Sequence, residues 1–150
     1  MSDNILTLIP VSPEYVPVES ARVAADKLLR SMVPAADEVS SEVSDRVQFF
    51  HAGSNFESVS CPACHAELST DWWGDAVDAA LQHQPPSLEV VLPCCGTTTS
   101  LNDLAYSWPQ GFARYSLAAR NPNIRELSPD QITQLATVVG AEVRPIWTHI

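Results

Sequence analysis

The chain is nearly without lysine. Lys27 is the only one among 150 residues, and the eight basic side chains face 18 acidic ones, a formal net charge of -10. That balance disfavours a nucleic-acid surface, because neutralising phosphates takes several Lys or Arg on one face. It also disfavours an anionic membrane surface. A Walker-type phosphate loop is excluded, since Lys27 stands in Ala25-Asp26-Lys27-Leu28 with no glycine nearby. Long apolar runs are missing too: none approaches the roughly 18 to 20 residues of a membrane span. Met1 to Pro10 lacks the basic flank of a secretory leader. A soluble cytoplasmic protein is therefore expected, with no membrane partner. H-E-x-x-H and G-x-S-x-G are absent. The deaminase order also fails, because the H-x-E at His65-Ala66-Glu67 follows Cys61-Pro62-Ala63-Cys64 instead of preceding it.

Hydrophobic residues make up 45 % of the chain, enough for a real core and too many for a disordered one. Ile5 to Ile9 reads as a short strand stopped by Pro10. Apolar residues from Ala21 to Met32 recur at helical spacing, and Pro34 ends that helix. Glu38 to His51 alternates partially and reads as one strand or a bent pair. Phe112 to Arg120 alternates well, with Ala113, Tyr115, Leu117 and Ala119 on one side, as in a half-buried strand. Ser128-Pro129-Asp130-Gln131 combines an N-cap serine, a first-turn proline and a capping-box glutamine, and Gly140 closes the helix that follows. Val143 to Ile150 is a final strand, which Pro145 confines to a sheet edge. With residues 54–108 set aside, the order is β, α, β, β, α, β. The predicted fold is accordingly α+β: one domain over residues 1–150, a ferredoxin-like split βαβ sandwich with 54–108 as a cysteine-bounded, zinc-ribbon-like insert.

Cysteine is absent from both ends and gathered in the middle, at Cys61, Cys64, Cys94 and Cys95. In a reducing compartment such thiols serve as metal ligands more readily than as disulfides, and adjacent Cys94 and Cys95 strain any bridge between them. Cys61-Pro62-Ala63-Cys64 has the form of a knuckle, a tight turn that aims two thiolates at one ion. Four soft thiolates from two turns suit a structural Zn2+. The second pair departs from a ribbon because its cysteines are adjacent. Both reach one ion only if the backbone kinks, which Pro93 and Gly96 permit. Otherwise His65 or His51 supplies the fourth ligand, or the thiols are simply free and partly buried.

Between the knuckles, Thr70 is placed to cap a helix running to about His83. Asp71, Asp75 and Asp78 share one face of it, while Trp73, Ala76, Val77 and Ala80 pack on the other. With Trp72 as an aromatic anchor, the acidic stripe suits a basic protein partner; the alternative is a solvated face with Trp72 and Trp73 shielding the cysteines. Ser100 to Phe112 lines a pocket or forms the structured link to the following strand.

Cys61-Pro62-Ala63-Cys64, Asp71-Trp72-Trp73-Gly74-Asp75, Pro93-Cys94-Cys95-Gly96 and Ser100 to Phe112 together resemble an uncharacterised family of short bacterial proteins. Automated naming sometimes calls its members "sugar ABC transporter ATPase", a label that the missing phosphate loop contradicts here. The resemblance implies no activity. The residues themselves point to a non-catalytic, acidic, zinc-stapled binding protein, of which an immunity-type protein neutralising a basic toxin is one instance. Two alternatives belong to other classes. A zinc enzyme requires three protein ligands and an open position. A small-molecule-sensing dimeric domain predicts a pocket near Trp108, Phe112 and Tyr115, or a dimer through an edge strand.

Overall fold

Period-2 alternation and period-3.6 stripes in the sequence resolve into a mixed α+β architecture. The computed structural model describes residues 2–83 and 85–150; Met1, and Gln84 within the predicted insert, lie outside the described residues. In chain order the elements are β1 (Asn4–Pro10), α1 (Glu19–Met32), β2 (Glu38–Phe50), β3 (Val59–Ser60), α2 (Thr70–Gln82), β4 (Glu89–Val91), β5 (Thr98–Ser100), a single 3-10 turn (Leu101–Asp103), β6 (Ala105–Tyr106), β7 (Gly111–Arg120), α3 (Pro129–Val139) and β8 (Val143–His149). No helix among the described residues is long and apolar enough to cross a membrane.

Four strands make one sheet in the order β2-β7-β1-β8, every neighbour antiparallel. Helices α1 and α3 turn their buried residues, Ala25 and Leu29 from one and Leu135 and Val139 from the other, onto Leu6, Leu8, Tyr115, Leu117 and Ala119 of the central strands. Helix α3 starts as its sequence dictates. The Ser128 hydroxyl oxygen accepts from the Gln131 N–H at 3.1 Å, and the Gln131 carboxamide oxygen accepts from the Ser128 N–H at 2.9 Å. Strand β8 holds the expected edge position, so Pro145, opposite Leu8, costs at most one ladder bond. Strand β7 departs from the half-buried expectation. Ser116, on the side expected to face solvent, is only 6 % exposed, because β7 is a central strand with both faces largely covered.

Residues Glu38 to Phe50 form a single strand with a register shift. Val43 lies opposite Tyr115 and Gln48 opposite Ala113, so five steps on β2 span two on β7. The Arg114 guanidinium donates to the Ser44 carbonyl at 2.9 Å and secures this bulge. Past it, Val47 enters a second core, made with Phe112 and the residues of the 54–108 segment: Val59, Cys61, Leu68, Val77, Leu92 and Leu101. The chain then crosses to the other sheet edge. There Gly53 bridges His149, and the Ser54 N–H donates to the His149 carbonyl at 2.9 Å, covering the end of β8. A side chain at Gly53 would collide with the His149 carbonyl.

Candidate metal centre

Two short hairpin turns present the cysteines. In the first, the Cys61 N–H donates to the Ala66 carbonyl at 2.9 Å and the His65 N–H to the Cys61 carbonyl at 3.0 Å, with His65 left-handed at φ 64°. In the second, the Leu92 N–H donates to the Thr97 carbonyl at 2.9 Å and the Gly96 N–H to the Leu92 carbonyl at 2.9 Å, with Gly96 at φ 74°. The shared bonding pattern makes Cys61 equivalent to Leu92, Pro62 to Pro93, Ala63 to Cys94, Cys64 to Cys95 and His65 to Gly96. Leucine therefore occupies the place of the leading ligand in the second turn. Its side chain is 1 % exposed and anchors the turn in the insert core, as Cys61 does for the first. The fourth thiol comes instead from Cys94, in the middle of the turn.

The four sulfurs lie within 4.8 Å of one another. Cys61 Sγ is 3.8 Å from Cys95 Sγ, Cys64 Sγ is 3.5 Å from Cys94 Sγ, and Cys94 Sγ is 3.8 Å from Cys95 Sγ. A tetrahedral four-sulfur site with metal–sulfur bonds of about 2.3 Å has edges of about 3.8 Å. The cluster thus has the dimensions needed to coordinate a metal ion.

Its electrostatics are uneven. The Cys64 N–H, chiefly, and the Ala63 N–H donate to Cys61 Sγ, both at 3.3 Å, and bring its pKa down to about 6 against the opposing effect of burial. The hydroxyl of Thr97, 3.1 Å from Cys95 Sγ, lowers Cys95 as well, helped by the Thr97 backbone. Cys94 goes the other way. Loss of hydration at its sulfur, then its hydrogen bonds with the neighbouring thiols, push it up to about 12. Each turn thus supplies one thiol that ionises more readily than usual, while Cys94 gives up its proton least readily.

Neither histidine alternative joins the cluster. His65 shapes the first turn through its backbone, and His51 Nδ1 accepts from the Gly53 N–H at 3.0 Å. Helix α2 begins at Thr70, but its cap is Ser69, whose hydroxyl accepts from the Trp72 N–H at 3.4 Å. At its other end the Arg46 guanidinium donates to the Leu81 and His83 carbonyls at 3.0 and 3.1 Å, a cation on the negative helix terminus. Asp71, Asp75 and Asp78 are exposed and form no ion pair with another described residue. Trp72 is half-buried against the insert core, so it supports the module more than it stands out as an anchor. Trp73 is more deeply engaged: its ring stacks on Phe56 at 5.0 Å and its N–H donates to the Tyr106 hydroxyl at 3.2 Å.

The Ser100 to Phe112 run is a structured junction. Buried Asn102 donates to the Val11 carbonyl at 2.8 Å and accepts from the Phe112 N–H at 2.9 Å. Arg144 donates to the Asn102 and Gln110 carbonyls at 2.9 and 2.8 Å. Phe112 and Tyr115 are buried in different cores and so share no pocket with Trp108, which instead lines a groove with Trp147. Sequence reasoning missed Arg144, which carries no local pattern, whereas Gln110 lies in the run read as a pocket lining or a structured link. With this geometry established, no protein-family model matches the chain, nor does any curated protein or solved structure.

Proposed function

We propose that this protein is a non-catalytic binding domain: a ferredoxin-like framework carrying a zinc-stapled insert whose acidic surface docks on a basic protein. The carrying observation is the four-cysteine cluster, with three sulfur–sulfur separations of 3.5 to 3.8 Å. An all-thiolate tetrahedral set favours zinc, and four protein ligands leave no coordination position for a substrate or a reactive water, which argues against the zinc-enzyme alternative. The β2-β7-β1-β8 order, with two helices packed against the central strands, supports the ferredoxin-like reading of the framework.

Charge supports the docking reading. Residues 54–108 contain seven carboxylates and no lysine or arginine. Zn2+ with four thiolates adds a further net charge of about -2. The α2 stripe of Asp71, Asp75 and Asp78 lies within this field, and such fields steer oppositely charged proteins into contact. Immunity-type neutralisation of a basic toxin is one such role. The test is affinity capture from the native host on immobilised zinc-loaded protein. A basic protein retained by the wild type and lost from D71N/D75N/D78N is the expected result. Equal retention by both would overturn the docking reading, as would capture of no basic protein.

A further inference from the structure

A groove of about 940 Å³ lies away from the cysteines and from α2. It opens where the insert meets one end of the framework sheet. Asn55 and Trp108 come from the insert side; Asn4 of β1, Asn121 and Asn123 of the turn after β7, and Trp147 of β8 come from the framework. Pockets at such junctions, of about 300–1,000 Å³, are the usual home of small ligands.

Its lining is selective in kind. Trp147 is held against the framework core, while Trp108 is 39 % exposed, the one aromatic among the exposed large apolar residues described. Side-chain amides dominate the polar lining, and several are fixed in direction. Asn121, left-handed at φ 49°, accepts the Asn4 N–H with its Oδ1 and donates from Nδ2 to Asp3 and Asp37, all at 2.9 Å. Asn55 donates to the Trp147 carbonyl at 3.2 Å, which leaves its own carboxamide oxygen available. Asn123, also left-handed at φ 58°, engages no described partner through its side chain. The lining carries few formal charges, Asp37 and Glu126 against Arg125, in a molecule of net charge -10.

Each of these features discriminates among ligands. An apolar ligand would strand the amides, whose groups lose free energy when covered without a partner. A strongly charged ligand would find no matching cluster of opposite sign. A sugar ring, in contrast, has an apolar C–H face for an indole and adjacent hydroxyls that donate and accept at once, as a carboxamide does. We propose that this groove binds a neutral oligosaccharide, with Trp108 as the exposed stacking platform and Asn55 and Asn123 as hydroxyl partners. No α2 residue lines the groove, so this inference does not depend on the docking reading.

The experiment is a titration of zinc-loaded, 15N-labelled protein with maltotriose, cellotriose and triacetylchitotriose, following the four indole N–H resonances. Saturable shifts of Trp108 and Trp147 with at least one of these sugars, while Trp72 and Trp73 stay fixed, are expected. Trp108→Ala should weaken binding about tenfold, the size of one lost aromatic contact. Trp108→Phe should retain most of it, and Asn123→Ala should weaken it severalfold. Zinc content and melting of each variant verify folding, and Glu142→Gln, at an exposed position that does not line the groove, should bind as the wild type does. The inference is overturned if no sugar shifts these resonances at about 10 mM, a concentration that reveals even millimolar affinities. It is also overturned if folded Trp108→Ala binds unchanged, or if a proline-rich peptide shifts the two indoles where no sugar does.

Discussion

Cys94 and Leu92 define the unusual feature of the candidate metal centre. The cysteine pattern was legible in the sequence, and so was the difficulty posed by adjacent ligands. The solution was not, because it depends on the fold of the second turn. There Leu92 spends the leading position on core packing, and the ligand is carried two residues on, to Cys94. Cys94→Ala should therefore lose metal, and adding Leu92→Cys should restore it by returning the second turn to the spacing of the first. Metal stoichiometry of the single and double variants checks this; a double variant no better than Cys94→Ala would refute the equivalence of the two turns. The thiols also set a pH dependence. Cys94, raised to about 12, must release a proton whenever metal binds near neutrality, so affinity should rise with pH. Below about 6, Cys61 is protonated as well, and a further proton competes with the metal. A competition titration with a chelator from pH 5 to 8 should show affinity falling more steeply below pH 6. A pH-independent affinity would contradict the assigned ligands.

Among the elements, those with complete local signals were read correctly. Helix α3 carries its own start and stop, with the reciprocal Ser128 and Gln131 bonds at one end and left-handed Gly140 at the other. Ser128→Ala should cost about 1 kcal/mol, lowering the melting temperature by about 2–4 °C for a chain of this size; an unchanged melt would mean the cap is redundant. Helix α2 shows how a neighbouring residue misleads: Ser69 and Thr70 are both competent caps, and only the backbone decides between them. Strand β2 was ambiguous for a physical reason. Its bulge is held by Arg114, 70 residues away, and no local pattern announces a guanidinium reaching the Ser44 carbonyl. The Asn102–Arg144 junction was hidden in the same way, joining positions 42 residues apart.

At the scale of the molecule, two cores share the strands β2 and β7, one beneath α1 and α3 and one around the cysteine turns. The α, β order of the framework was visible because most of its elements carry their own periodicity or stop signals, although β2 alternates only in part. The path by which the insert leaves β2, crosses to β8 and returns was not, since it rests on backbone pairing such as Gly53 with His149. The acid surplus was equally plain from composition, but only the fold shows three aspartates of α2 exposed and clear of described ion pairs. The proposed zinc staple depends on the four cysteines closing on one ion. X-ray absorption at the zinc edge of the purified protein measures that directly. The account predicts about one zinc per chain with four sulfur neighbours at about 2.3 Å. Protein purified without metal, or zinc bound by fewer than four sulfurs with nitrogen or oxygen in the first coordination sphere, would contradict it.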